Sequence, residues 1–449
     1  MSLQRKYFQA VLKDEIKALR EQFVESKLLF WAFLVSVAAV ITYLDPFPDR
    51  HIYFASSFPG SAWHTFAEQG ADYLKNLKFE TEIIKTDGAL ENIERIESST
   101  DKANTGLSFG LVLNDEQRSN VWSLGSIAYH PFWIYYHKDK VHNPSNLRDL
   151  AKYKVGLGPP RSGSFLISRI LFNQYGISID DNPNFISDGF MANEARFLKG
   201  ELDVYIVATA AGDPQIKRLL TQQDITLFDF KDADGFNKKF DSLFSLNMSR
   251  GSIQTYPAIP SQDITLLGTT TSLVVKQDLH PDAQLALLVA YKNILRDSND
   301  LFFAKRNEFP SYMDPLIPLS PVAAKFYDYG PPNTLRYLPF WVAGFVDRAG
   351  VFFVTLFAIF YPLSKLRIQL RLMRFTVKMQ PFYEELLKIQ NEVVDSSLTK
   401  EDLMAILARL DRIDRTAIRS GVPIGKETDY FEFLSTINTV RKSIMSRLN

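Results

Sequence analysis

The 449-residue chain contains no cysteine, which excludes disulfides, thiolate metal ligands and a thiolate nucleophile. Chains on either side of a membrane can lack cysteine, so this absence does not assign a compartment. Net charge is also missing. The 51 basic side chains equal the 51 acidic ones, so bulk charge gives nucleic acid no reason to bind. Histidine is scarce: six residues are scattered at 51, 64, 130, 137, 142 and 280. Neither an H-E-x-x-H pair nor a His/Asp cluster is formed, so no metal and no other cofactor is expected. The P-loop, the G-x-G-x-x-G turn and the G-x-S-x-G elbow are missing as well, and "PGSAW" (59–63) lacks the elbow's shape. Nothing gathers a nucleophile, a base and an orienter, so an enzyme is not expected.

Long apolar runs are present, and there are two. "LLFWAFLVSVAAVITYL" (28–44) is uncharged over 17 residues, close to the shortest helix that spans a bilayer. A removable signal peptide is the alternative, but its lead of 27 residues is long and no small-x-small site follows cleanly. The second run, 338–363, is broken only by Asp347 and Arg348. Trp341 and Tyr361 suit an aromatic belt at its two ends, and the Asp-Arg pair can sit near the outer interface. A buried core helix is the competing reading.

Flanking charge orients these runs. Residues 1–27 hold six basic side chains, and residues 364–378 hold five with no acid. The "DPFPDRH" stretch after the first run has one Arg against two Asp. The positive-inside rule then places both termini in the cytoplasm and residues 45–337 outside the inner membrane.

Within 45–337, strand-like runs alternate with helix-like ones. Strands are expected at 51–56, 79–84, 105–109, 153–158, 202–207 and 225–230, and helices at 61–76, 88–98, 162–175, 189–200 and 212–221. Alternation of this kind predicts βαβ units and a mainly parallel sheet. The length is generous for one sheet, so the expected α/β architecture has two lobes, the second over about 138–265, with a ligand cleft between them. The aromatic run "HPFWIYYHK" (130–138) alternates like a strand crossing between lobes rather than like a stacking platform for bases.

The stretch "KYKVGLGPPRSGSFLISRILFNQYGI" (152–177) passes from an apolar strand through a small-residue turn into a helix with a stripe at Leu166, Ile167, Ile170 and Leu171. Unpaired N–H groups at the helix start, the Ser162 and Ser164 hydroxyls and Arg161 can form an anion site. A Gly-Pro turn that merely caps a helix is the alternative. Asp87, ahead of Gly88 and Asn92, is expected to cap the helix after "FETEII". Glu91, Glu94 and Glu97 are most simply a solvated face.

The tail, 364–449, is helical by pattern. Thr399 and Asp402 form a capping box ahead of a stripe at Leu403, Ile406, Leu407, Leu410, Ile413 and Ala417. "GVPIG" (421–425) breaks the chain before a last helix from about 429 to 448. Such helices need a partner face, in the tail itself or in a second copy of the chain. Histidine kinase, cyclase and methyl-acceptor signatures are not found, so any signal would pass by contact.

Several stretches together resemble one family. "GLGPPRSGSF" resembles the GPPGSGT-type segment of the TAXI family, the solute-binding proteins associated with TRAP transporters. "IYFASSFPGSAWHTFAEQGADYL" is similar to that family's opening strand, turn and helix, and "KTDGALENIERI" to its TGGSxENL stretch. "FLKGELDVYIVATAAGDPQIKRLL" resembles a repeat in which a buried Asp precedes a small-residue turn. "YGPPNTLRYLPFWVAGFVDR" resembles the juxtamembrane block of membrane-anchored members. The likeness covers about 50–440. It implies a two-lobed fold of type II periplasmic-binding-protein kind between two transmembrane helices (28–44 and 338–363), with a helical cytoplasmic tail. The implied function is to hold a small carboxylate or amino-acid-like solute in the cleft for a TRAP-type permease; the alternative is a receptor that relays lobe closure to its tail. The candidate ligand-binding residues are Ser56, Ser57, Gly60, Trp63, Gly88, Asn92, Arg161, Ser162, Gly163 and Ser164. Departures occur in the first lobe: Ser57 and Ser61 stand where the family usually has glycine, Ala62 where it has Thr or Ser, and Trp63 where it has Tyr. After the third strand "LSFGL" replaces polar residues. Either the ligand is less polar than glutamate-like acids or only the scaffold remains.

Overall fold

A computed structural model describes residues 27–45, 49–296, 303–305, 307–394, 398–418, 422 and 426–448. The expected N-terminal cytoplasmic segment lies outside them, apart from Lys27, as does the 421–425 break apart from Val422. The chain divides into one compact unit over 45–347 and another formed by 1–44 and 348–449.

In the 45–347 unit, β1 (His51–Ala55) pairs in parallel with β2 (Glu80–Ile84) and β3 (Thr105–Ser108). Between these strands run α1 (Ala62–Asn76) and α2 (Ala89–Glu97). This is the first lobe. The long strand β4 (Val121–His137) leads into the second. There β5 (Val155–Gly156) pairs in parallel with β6 (Phe185–Ile186) and β7 (Val204–Ala208). The helices α3 (Gly163–Asn173), α4 (Phe190–Leu198) and α5 (Pro214–Leu220) belong to it. β8 (Ile225–Leu227) joins β4, and β9 (Phe244–Met248) joins the returning strand. After the small β10–β11 hairpin (Gln254–Thr255 and Ala258–Ile259), β12 (Ile264–Lys276) returns to the first lobe. α6 (Pro281–Arg296) then packs on α1, where the buried Tyr291 hydroxyl donates to Phe66 O at 3.0 Å.

The sheet order is β2-β1-β3-β12-β4-β7-β5-β6. Within each lobe the neighbours are parallel, but β4 and β12 pair antiparallel with each other and with their other partners. The sheet is therefore mixed, not mainly parallel. Each lobe is wound by βαβ crossovers, and two long strands of opposite direction carry the chain across. The β4–β12 register shifts at Thr271/Ser272 and at Leu273/Val274, and such bulges bend a strand pair locally. Val155–Gly156 is all that pairs of the strand expected at 153–158.

The stretch Phe340–Leu363, in the other unit from Arg348 on, is long and apolar enough to cross a membrane, at 24 residues and mean hydropathy 1.8. It opens the helix Phe340–Val394. The apolar helix Phe30–Leu44 is shorter than that criterion. Arg348 donates to Leu44 O at 2.8 Å, and Phe33 meets Phe360 edge-on at 5.4 Å. The tail helices Lys400–Ile418 and Glu427–Leu448 share a core with the end of Phe340–Val394, built around Ile389, Leu410, Phe433 and Ile437. Thr399 and Asp402 exchange both bonds of a capping box.

Candidate functional site

A cavity of about 300 Å³ lies between the lobes. Among the helices that begin at it are α1 with N-cap Ser61, α2 with N-cap Gly88 and α3 with N-cap Ser162, and the first residues of α4 and α5 line it too. The first N–H groups of a helix have no partner within it and carry the positive end of its dipole. Ser61 Oγ accepts from His64 N–H and Ser162 Oγ from Phe165 N–H. The N–H groups of Ala62, Trp63, Ala89, Gly163 and Ser164 keep no hydrogen bond among the described residues. Asp87 does not cap α2, contrary to the sequence expectation. Its own N–H donates to Glu91 Oε2 at 2.7 Å, and Gly88, at φ +122°, takes the cap position. Only glycine holds that backbone without strain.

Of the ten candidate residues, seven line this cavity: Ser57, Gly60, Trp63, Gly88, Ser162, Gly163 and Ser164. Three do not. Ser56 is fully buried behind the wall, with an unpaired hydroxyl. Asn92 is a clamp inside the first lobe: its Nδ2 donates to Ser56 O and Leu107 O at 2.8 Å, and its Oδ1 accepts from Thr86. Arg161 points away and pairs with Glu94 of α2. That ion pair joins the two lobes, as does the contact between Phe58 and Phe190, 5.7 Å between centroids. Glu94 is thus more than a solvated face. The Ser164 hydroxyl accepts from Ala208 N–H at 2.8 Å, which ties α3 to β7.

One wall is aromatic. Trp63 lies 5.0 Å from Phe109, and Phe109 lies 4.7 Å from His130. Trp63 Nε1 donates to Thr271 Oγ1, which lies 3.0 Å from His130 Nδ1. Full burial pushes the His130 pKa down to about 4, a Ala208 backbone hydrogen bond opposing this in part. The ring is neutral at pH 7 and belongs to the wall as an uncharged aromatic.

Another part of the lining is polar. Glu194 accepts from Arg218 Nε at 2.8 Å and from Gln215 Nε2 at 2.7 Å. Asp213 caps α5 by accepting from Gln215 N–H and takes the Thr209 hydroxyl at 2.8 Å. Asp87 is exposed at the rim. The cavity thus presents helix N-termini, an aromatic wall and a Glu194–Arg218 pair. This arrangement can hold a small molecule with one anionic group. Among the described residues no His/Asp/Glu cluster could hold a metal.

Sequence reasoning missed Phe109, His130, Glu194, Asp213 and Arg218 as cavity residues. "LSFGL" drew notice only for the polar residues it lacks, yet Phe109 is the side chain that faces Gly163 across the cleft. Glu194 and Arg218 come from different helices, and no spacing links them.

Residues 63–328 match a family of periplasmic-binding-protein type. The chain belongs to the NMT1-like family. The matched span of this NMT1-like chain takes in every cavity element except the 57–62 turn. No curated protein matches in sequence. Similar solved structures include an ancestral arginine-binding protein bound to arginine: 13% identity, TM-score 0.37, over 56% of this chain and 94% of that one. PhnD1 from Prochlorococcus marinus (MIT 9301) in complex with methylphosphonate gives 16% identity and TM-score 0.37, over 57% and 92%. The periplasmic binding protein BugD gives 13% identity and TM-score 0.41, over 68% and 99%.

Proposed function

We propose that this NMT1-like protein is a membrane-anchored, extracytoplasmic solute-binding protein of the TAXI/TRAP type that holds a small carboxylate between its lobes. The observation that carries this reading is the convergence of three helix N-termini, with unpaired N–H groups, on one interlobe cavity. The carboxylate lies against Ser57, Trp63, Gly88 and Ser162–Ser164, and the aromatic wall takes the rest of the solute. An amino-acid-like solute fits when its ammonium reaches Glu194 or Asp87. The partners are a TRAP-type permease and the bilayer, with a second copy of the chain meeting through the tail. Helices over 28–44 and 338–363 anchor it in the inner membrane, with both termini cytoplasmic and 45–337 outside.

A relay of lobe closure to the tail is the second reading. It is favoured by the tail's own packed core, which an anchor alone does not need.

Ser164→Ala tests the site. Hydrogen bonds to a charged group contribute about 1.5–3 kcal/mol each, so calorimetry against a panel of carboxylates and amino acids should find the best ligand's affinity lowered about tenfold or more. Some loss of melting temperature is also expected, because Ala208 N–H loses its acceptor. Unchanged affinity beside a lower melting temperature would reduce the serine to a structural tie.

Topology is tested by labelling single cysteines placed at Ser2, Ser145 and Ser443 in this cysteine-free chain. Ser145 should react from outside, and Ser2 and Ser443 only from inside. Labelling of Ser443 from outside sinks the two-span arrangement.

A further inference from the structure

A second cavity, of about 250 Å³, lies on the other side of the 60–62 turn. It shares Gly60, Ala62, Asp213 and Pro214 with the first. Those four residues, called the neck below, line both spaces. The walls differ in kind. Beyond the neck they are Phe66, Ile127, Leu295, Phe303, Phe309 and small alanines, with Thr65, Gln69 and the Tyr129 ring as the polar exceptions. The Tyr129 hydroxyl is already engaged, donating to Glu308 Oε1 at 2.8 Å. Among the described residues no lysine, arginine or histidine lines the second cavity.

We propose that the second cavity is a tail site: the solute is an amphiphilic acid whose carboxylate sits at the helix N-termini and whose apolar tail passes the neck. This rests on the carboxylate reading above and narrows it to arylalkyl or medium-chain alkyl acids. Three observations agree. Gly60 and Ala62, which line both cavities, sit at the start of α1, next to the Trp63 and Phe109 rings of the first. The residues of the neck are small or short, and Gly60 offers no side chain to close it. An apolar space of this size, next to a site that fixes one charged group, gains affinity by taking hydrocarbon out of water. A polar diacid would meet no cationic side chain among the described residues there, and it would leave the apolar walls unused.

The test is a series of ω-phenylalkanoates, from benzoate through 3-phenylpropanoate to 6-phenylhexanoate. They are titrated calorimetrically into the full chain in lipid nanodiscs, with empty discs subtracted. Affinity should rise about threefold to fourfold for each methylene that draws the ring through the neck. Two variants fill the second cavity. Ala211→Phe adds bulk on the second-lobe side, and Gln69→Trp adds it from an exposed position of α1, where folding tolerates it. Both should leave the benzoate affinity near wild type and flatten the rise.

Affinity that is flat or falling with length in the wild type overturns the tail site and leaves the carboxylate reading standing. A rise that survives both filling variants also overturns it, since the tail then lies elsewhere. If 4-phenylbutanol binds, responds to Ala211→Phe and outcompetes every acid, the tail site stands and the carboxylate reading falls. If neither the acids nor the alcohol bind, both fall.

Discussion

Gly163→Val is expected to lower affinity for the best-binding carboxylate about a hundredfold or more and to hold the lobes apart. Gly163 opens α3 in the second lobe, and a Cβ there would come within 2.3 Å of Phe109 Cε2 in the first. Real Cβ atoms do not approach that closely, so one side must move. Phe109 has no room to yield, since its ring is held between Trp63 at 5.0 Å and His130 at 4.7 Å. Overpacking of this kind costs typically about 1–3 kcal/mol. Most of it falls on the closed state, because the contact exists only when the lobes meet. The valine's two methyl groups also crowd the Gly163 and Ser164 N–H groups that face the ligand. Gly163→Ala should show the same effect in milder form, and adding Phe109→Leu should restore part of the affinity by opening space opposite. Small-angle scattering should find the Gly163→Val protein with a ligand-independent, larger radius of gyration. A Gly163→Ala protein that binds like wild type would mean that the lobes do not close on this contact.

The helices that build the site were the most legible part of the sequence. Ser61 and Ser162 are good N-caps before apolar stripes at helical spacing, and both do cap. Of the two crossing strands, β4 was foreshadowed by the aromatic alternation at 130–138, but β12 was harder to read, for a physical reason. β12 contains "GTTTS", which looks polar and loop-like, yet Thr269 to Ser272 are buried, and the hydroxyls of Thr270, Thr271 and Ser272 find partners there while that of Thr269 has none among the described residues. Ser126 and Thr270 lie 2.8 Å apart between β4 and β12, and Trp63 and His130 both meet Thr271. A strand buried on both faces need not alternate. The parallel bias of the βαβ pattern was real within each lobe, but it could not anticipate two strands running against it.

The site divided in the same way. Backbone features were visible, because a turn of Gly, Pro and Ser before a helix announces unpaired N–H groups. Side chains that converge from distant segments were not: Phe109, His130 and the Glu194–Arg218 pair acquire meaning only when the lobes are brought together. Asn92 shows the opposite error. The family resemblance put it among the candidate ligand residues, but an amide can satisfy two backbone carbonyls at once, and here it knits the end of β1 to β3.

His130 gives the fold an acid-sensitive point. Its folded pKa is about 4, below the ordinary value near 6.5 for an unfolded chain. Between those two values the unfolded state binds more protons than the folded one, so stability falls as pH drops through that window and is fully present above it. From pH 7 to pH 5 the ring should withdraw roughly 2 kcal/mol. Urea unfolding of the wild type and of His130→Gln at both pH values measures this directly, since glutamine keeps a hydrogen-bonding group near Thr271 but takes no charge. The variant should lose less stability than the wild type over the interval, by about that amount, while the remaining histidines and carboxylates contribute equally to both. Because the folded ring, packed on Phe109 and Trp63, stays neutral until the pH nears 4, the cavity wall should stay intact from pH 7 to pH 5, and this ring should lower solute affinity only below that interval. Identical pH dependence in the two proteins would mean that water reaches the ring in the folded state, and the aromatic wall would then be open to solvent.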